Sequence, residues 1–131
     1  MRDEDVEMRD QDMNEAADNP DRLSGIYTAV DAWCEFPTAA KAKYGPIASW
    51  DVSEVTDLST LFYSKTDFNE DLSRWDVSNV KDMEGMFYGA TSFDRQFGGA
   101  WSASTATKYC IFNNSPGVIA GKAKDANGTV A

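Results

Sequence analysis

Trp50–Arg74 and Trp75–Gly99 write nearly the same 25-residue phrase in succession. The copies are identical at Trp, Asp, Val, Ser, Val, Asp, Phe, Tyr, Thr and Phe, and Leu58/Met83, Leu61/Met86, Asn69/Asp94 and Leu72/Phe97 are conservative exchanges. A worn third copy starts at Trp101, with Ala106, Tyr109, Phe112 and Ile119 falling where Val80, Met83, Met86 and Phe93 stand, so that the period is 25 and then 26. This feature constrains the fold more than any other. A period in the twenties marks a solenoid, in which each repeat is one supersecondary unit that cannot bury its apolar face alone and must stack on its neighbours.

Within a repeat, Met83, Met86, Phe87 and Ala90 recur at helical spacing. The expected element is a short helix from about Asp82, stopped near Gly89. The stretch "FNEDLSRW" (68–75) is the expected strand, turning a corner at Asp76. The fold class that follows is an α/β repeat, a short leucine-rich-repeat-like solenoid with one strand and one short helix per repeat. Equivalent residues of coils stacked about 4.8 Å apart form ladders: Trp50 over Trp75 over Trp101, Leu61 over Met86 over Phe112, and Phe68 over Phe93.

The flanks read differently. Residues 1–19 carry eight acidic side chains against Arg2 and Arg9, with no aromatic, and read as an acidic disordered tail. Asn19 and Pro20 then suit the start of a helix. Leu23, Ile26, Tyr27, Val30, Trp33 and Cys34 form one apolar stripe, which Pro37 ends. Residues 20–46 are thus the expected N-terminal helical cap, with a second short helix in "TAAKAKYG" stopped at Gly45-Pro46. Residues 47–120 are the three-coil solenoid, and 121–131 a flexible tail. Cys34 and Cys110 would sit at opposite ends of the stack, beyond the roughly 7 Å between Cα atoms that a disulfide spans, and so are expected to be reduced or half-buried.

Composition narrows the function. The chain has no histidine, which removes the commonest general base and the usual zinc and copper ligand sets. A net charge of −10 repels a phosphate backbone, so nucleic acid is not an expected partner. Nothing approaches the roughly 20 apolar residues that a membrane-spanning helix needs. The N-terminus lacks the basic-then-apolar order of a secretory signal.

"WDVSEVTDLSTLF", "FNEDLSRWDVSNVKDMEGMFYGATSF" and the lead-in "AVDAWCEFPTAAKAKYGPIASWDVS" resemble the BspA-like surface-protein repeat family, whose repeats of about 26 residues also occur in mycoplasma lipoprotein-type surface proteins. The lead-in is similar to versions abundant in unicellular algae and other protists. The resemblance covers roughly residues 23–119. It implies a leucine-rich-repeat-like solenoid, no known enzymatic activity, no catalytic residues to carry over, and frequent placement on cell surfaces, in secreted chains or in a lumen. The chain departs from the family in having very few repeats and an acidic leader.

Laddered carboxylates at Asp51 and Asp76, and at Asp57 and Asp82, are weak candidates for calcium, which takes oxygen ligands. Capping of turns and helix starts is the plainer use of the same side chains. The tryptophan ladder reads as core before it reads as a sugar platform. Asn113-Asn114-Ser115 and Asn127-Gly128-Thr129 fit the glycosylation sequon. No cofactor and no enzyme activity are expected. The leading expectation is a non-catalytic protein–protein interaction or scaffold module whose partner is another protein, met singly or within a larger complex. Its contacts should fall on exposed positions between ladder rows: Tyr63, Lys65, Glu70, Arg74, Glu84, Tyr88 and Arg95. The alternatives are a small accessory or structural subunit of a larger assembly, and a cell-surface adhesion or carbohydrate-binding module.

Overall fold

A computed structural model describes residues 23–131; the expected acidic tail, the Asn19 cap and Pro20 lie outside them. The described chain opens with two helices, α1 (Leu23–Glu35) and α2 (Pro37–Tyr44), which pack on each other. α1 buries Ile26, Ala29, Val30 and Trp33, residues three and four apart that share one face. Pro37 opens α2 with its φ already suited to a first turn, and Gly45 ends it at φ +82°. The Tyr27 hydroxyl donates to the Ser59 carbonyl and ties α1 to the first repeat. A single 3₁₀ turn, Ile47–Ser49, leads into Trp50.

From Trp50 onward, stretches of chain about 25 residues apart lie side by side and parallel. Asp57 bridges to Asp82, and Asp82 to Thr107. The N–H groups of Leu58, Thr60, Phe62 and Ser64 donate at 2.7–2.9 Å to the carbonyls of Asp82, Glu84, Met86 and Tyr88. Met83, Gly85, Phe87 and Gly89 donate in the same way to Thr107, Tyr109, Ile111 and Asn113. The intervening residues turn inward on their own coil: Leu61, Tyr63 and Lys65 donate three residues back, as do Met86, Tyr88 and Ala90. Every second amide thus serves its own turn, and the others serve the neighbour.

The short helix expected from about Asp82 is absent. In its place is a run of consecutive turns, because every fourth residue is left-handed: Gly85 and Gly89 (φ +61° and +73°), Thr60 and Ser64 (+55° and +58°), Cys110 and Asn114 (+56° and +54°). A residue in that region interrupts an α-helix. It nevertheless leaves Met83, Met86, Phe87 and Ala90 facing the core, all fully buried, so the 3–4 spacing of apolar residues does not distinguish the two backbones. The stretch 68–75 forms no strand either. The paired strands are β1 (Gln96–Phe97) and β2 (Val118–Ile119), which run parallel. Between them a single-turn helix, α3 (Gly99–Ala103), carries Trp101.

The core is a set of aromatic rows. Phe62, Phe87 and Phe112 stack face to face with centroids 5.3 and 5.7 Å apart. Phe68 over Phe93 runs beside them at 5.9 Å, each 4.1 Å from the phenylalanine of the first row on its own coil. Trp50 stacks on Trp75 at 6.4 Å, whereas Trp101 stacks on Phe97 at 3.9 Å. The indoles of these three tryptophans donate to the Gly45, Ile47 and Leu72 carbonyls respectively. Offset rings of this kind add to the area that they bury.

Two sequence readings change here. The third copy was expected to place Tyr109 over Met83 and Phe112 over Met86. Its backbone bonds put Lys108 in the Met83 place, Ile111 over Met86 and Leu61, and Phe112 over Phe87, while Tyr109 is 59% exposed. The reason is Lys108 itself, buried at 6% exposure: its stem fills an apolar place while its ammonium donates to the Ser104 and Ala106 carbonyls at 2.8 and 3.0 Å. The flexible tail expected at 121–131 is instead packed over the third coil. Lys124 and Val130 form an antiparallel bridge around the Asn127-Gly128 turn, which Asp125 holds by accepting from the Asn127 and Thr129 amides. The Phe112 N–H donates to the Gly128 carbonyl, and the Cys110 N–H to the Thr129 hydroxyl. This hairpin takes up amides that a further coil would otherwise have to satisfy.

Candidate functional site

An open groove of about 660 Å³ lies between the C-terminal half of α1 and the stretch that leaves the first run of turns. Asp31, Trp33, Cys34, Glu35 and Pro37 form one wall; Lys65, Thr66, Asp67, Phe68, Asn69 and Glu70 form the other. The walls diverge because the residues one period before 65–70 are held in α2 and its terminal Gly45, not in a coil. Lys65 crosses to Asp31 with N···O of 2.9 Å and pins α1 to the first repeat. That hydrogen bond raises the Lys65 pKa above its ordinary value. Phe36, beside the groove in sequence, is 62% exposed.

The groove is acidic. Asp31, Glu35, Asp67 and Glu70 stand against Lys65 alone. The Cys34 thiol is pushed up to about 11, chiefly by burial, the reverse of the depressed value that a catalytic thiolate needs. Cys34 and Cys110 are both free and half-buried. Phe68 and Trp33 are largely buried and give the groove an apolar base.

The residues expected to make contacts distribute unevenly. Lys65 and Glu70 line the groove. Arg95 stands next to it, its guanidinium donating through two nitrogens to the Asn69 carbonyl at 3.0 and 2.6 Å. Tyr63 and Tyr88 are elsewhere, stacked on each other at 5.0 Å, with Tyr63 50% exposed. Arg74 and Glu84 are exposed and outside the groove. Sequence reasoning missed the α1 wall, because it sought contacts only within the repeat. One signal was available: Asp67, Glu70 and Asp71 are acidic where the second copy has Ser92, Arg95 and Gln96.

The laddered carboxylates are occupied with turns. Asp51 accepts from the Ser53 amide and hydroxyl, and Asp76 from the Ser78 amide and hydroxyl. Asp57 and Asp82 accept from the Ser59 and Glu84 amides. The serine hydroxyls, with the amides behind them, hold the Asp51 and Asp76 pKa values below the usual range. Among the described residues no group of three or more His, Cys, Asp or Glu side chains is arranged to hold a metal ion.

No described helix is long and apolar enough to cross a membrane. No curated protein and no solved structure matches the chain. One family model does match, over residues 31–118, a span that contains both walls of the groove. The chain therefore belongs to the family described as Mycoplasma protein of unknown function, DUF285.

Proposed function

We propose that this chain is a non-catalytic protein-interaction module. In this reading it is a short open stack of coils of the BspA-like WDVSNV type, covered at one end by α1 and α2 and at the other by the 121–130 hairpin. The observation that carries the proposal is the groove: it is preformed, pinned by the Lys65–Asp31 pair, apolar at its base and acidic at its rim. Its only thiol is held protonated by burial. A concave surface that offers charge and apolar area without an activated nucleophile or a metal cluster suits docking of another macromolecule. Its location, where the stack begins, also leaves the coils free to serve as a rigid support.

Native mass spectrometry of the protein purified from its source tests this directly. The expected result is a species heavier than the 14.4 kDa chain, with crosslinks from the partner at Lys65. A chain that travels alone at every concentration, with no crosslinks formed, contradicts it.

A further inference from the structure

The groove holds a set of hydrogen-bond donors with no acceptor among the described residues. Of the four tryptophans, three direct their indole N–H to a carbonyl of the chain. Trp33, only 9% exposed and lining the groove, has no partner for its indole N–H among the described residues; its ring packs at right angles to Trp50. A buried donor without an acceptor carries a desolvation cost that structures rarely leave standing. The opposite wall offers exposed backbone donors. The amides of Thr66, Asp67, Asn69 and Glu70 have no acceptor among the described residues, although those on either side are paired: Lys65 donates to Phe62 and Phe68 donates to Lys65. One coil later the place of Asn69 is taken by Asp94, and the Asp94 amide is satisfied by the Asn69 side chain at 2.8 Å. At the Asn69 place alone does the preceding stretch make the difference, since there α2 and Gly45 stand in place of a side chain that could accept; the exposed amides of Thr66, Asp67 and Glu70 are open to a partner in the same direction.

Resting on the interaction reading above, we infer that the groove takes an extended, basic segment of a partner protein, laid along the 66–70 wall where a preceding coil would lie. Its backbone carbonyls receive the Trp33 indole and the free amides, as in strand addition to an open edge. Its Lys or Arg side chains meet Glu35, Asp67 and Glu70, and the apolar residues between them cover Phe68. Charge disfavours a second copy of this chain as the occupant, since each carries a net charge of −10. It equally disfavours the chain's own acidic first residues.

The probe is a panel of blocked nonapeptides with Lys or Arg at alternate positions and Val, Leu, Phe or Tyr between them, titrated into the full chain and followed by amide and indole NMR. Saturable binding by at least one peptide is expected, with the Trp33 indole and the Thr66, Asp67, Asn69 and Glu70 amides shifting together. The double substitution Asp67→Lys/Glu70→Lys should weaken it about ten-fold or more, as reversal of facing charges does. Spermine, which has the charge but not the carbonyls, should leave the Trp33 indole unmoved. Peptides with Glu in place of Lys binding equally, shifts scattered over the acidic surface with Trp33 still, or no saturable binding by any peptide would each overturn the inference. A heavier native complex alongside such a failure leaves the interaction reading standing and moves its contacts elsewhere, which separates the two proposals.

Discussion

The run of turns at 83–89 and the run at 108–114 have the same backbone and different sequences. Both hold a left-handed residue at the third and seventh places, but the middle run uses Gly85 and Gly89 where the last uses Cys110 and Asn114. Both bury their first residue, but it is Met83 in one and Lys108 in the other. The middle run is enclosed by a coil on each side, the first of which places Ser64 against Gly89: a Cβ added there would lie 3.2 Å from the Ser64 hydroxyl oxygen. The last run has a coil on one side and a short hairpin on the other. What recurs between these runs is therefore the backbone and its bonds to the stretch about 25 residues on. Side chains follow the repeat strictly only where neighbours press from both sides.

The largest expected effect comes from exchanging the two first residues. Met83→Lys would place a charge at a fully buried position between two stacked stretches, and burial of a charge costs several kcal/mol unless it is well paired. Loss of the folded state by circular dichroism is the expected outcome; a stable Met83→Lys protein would show that the middle run is not enclosed. Phe87, stacked between Phe62 and Phe112, comes next. Phe87→Ala should cost roughly 3–5 kcal/mol in denaturant unfolding. Phe112→Ala should cost less, because one face of Phe112 meets the Lys124 ammonium at 5.4 Å and not another ring.

Glycine and its substitutes offer a finer test. Gly89→Ala adds a Cβ at φ +73° and should cost about 1–2 kcal/mol. The reciprocal Thr60→Gly relieves a β-branched residue at φ +55° and should gain up to about 1 kcal/mol, some of it returned as unfolded-chain entropy. Equal and opposite signs at the two places would establish that one backbone is being served by two chemistries.

The smallest effect is a pH dependence. Burial lowers the Lys108 pKa below its ordinary 10.5, so over the interval between the lowered value and 10.5 the unfolded chain binds more proton than the folded one. Lys108 therefore costs stability at neutral pH, and that cost is relieved as pH rises through the interval. Stability of the wild type relative to Lys108→Met should increase on going from pH 8 to about pH 10.5. A difference that stays flat would mean that the ammonium is as well solvated as in the unfolded chain.

How much of this the sequence disclosed follows from the same comparison. The aromatic rows and the two leading helices were legible because they depend on apolar residues recurring at fixed spacing. The turns were not, because Met83, Met86 and Phe87 fall on one side of the chain in a helix and in a run of turns alike. The informative marks were Gly85 and Gly89, four apart, and the first and third copies hide them behind Thr60, Ser64, Cys110 and Asn114. Lys108 was misplaced by one residue because hydrophobicity alone assigns lysine to solvent. The groove was half legible: Lys65 and Glu70 lie on it, but Trp33 reads as ordinary core until its indole is seen to lack a partner.

The central claim is that amides of one run of turns are bonded to carbonyls of the next. Scalar couplings across hydrogen bonds, measured by NMR between amide nitrogen and carbonyl carbon, test it most directly. The expected correlations join Phe62 N to Met86 C′, Phe87 N to Ile111 C′ and Gly89 N to Asn113 C′. Correlations running instead from each of these amides to the carbonyl four residues before it would mean that the repeats are helices, and would contradict the account.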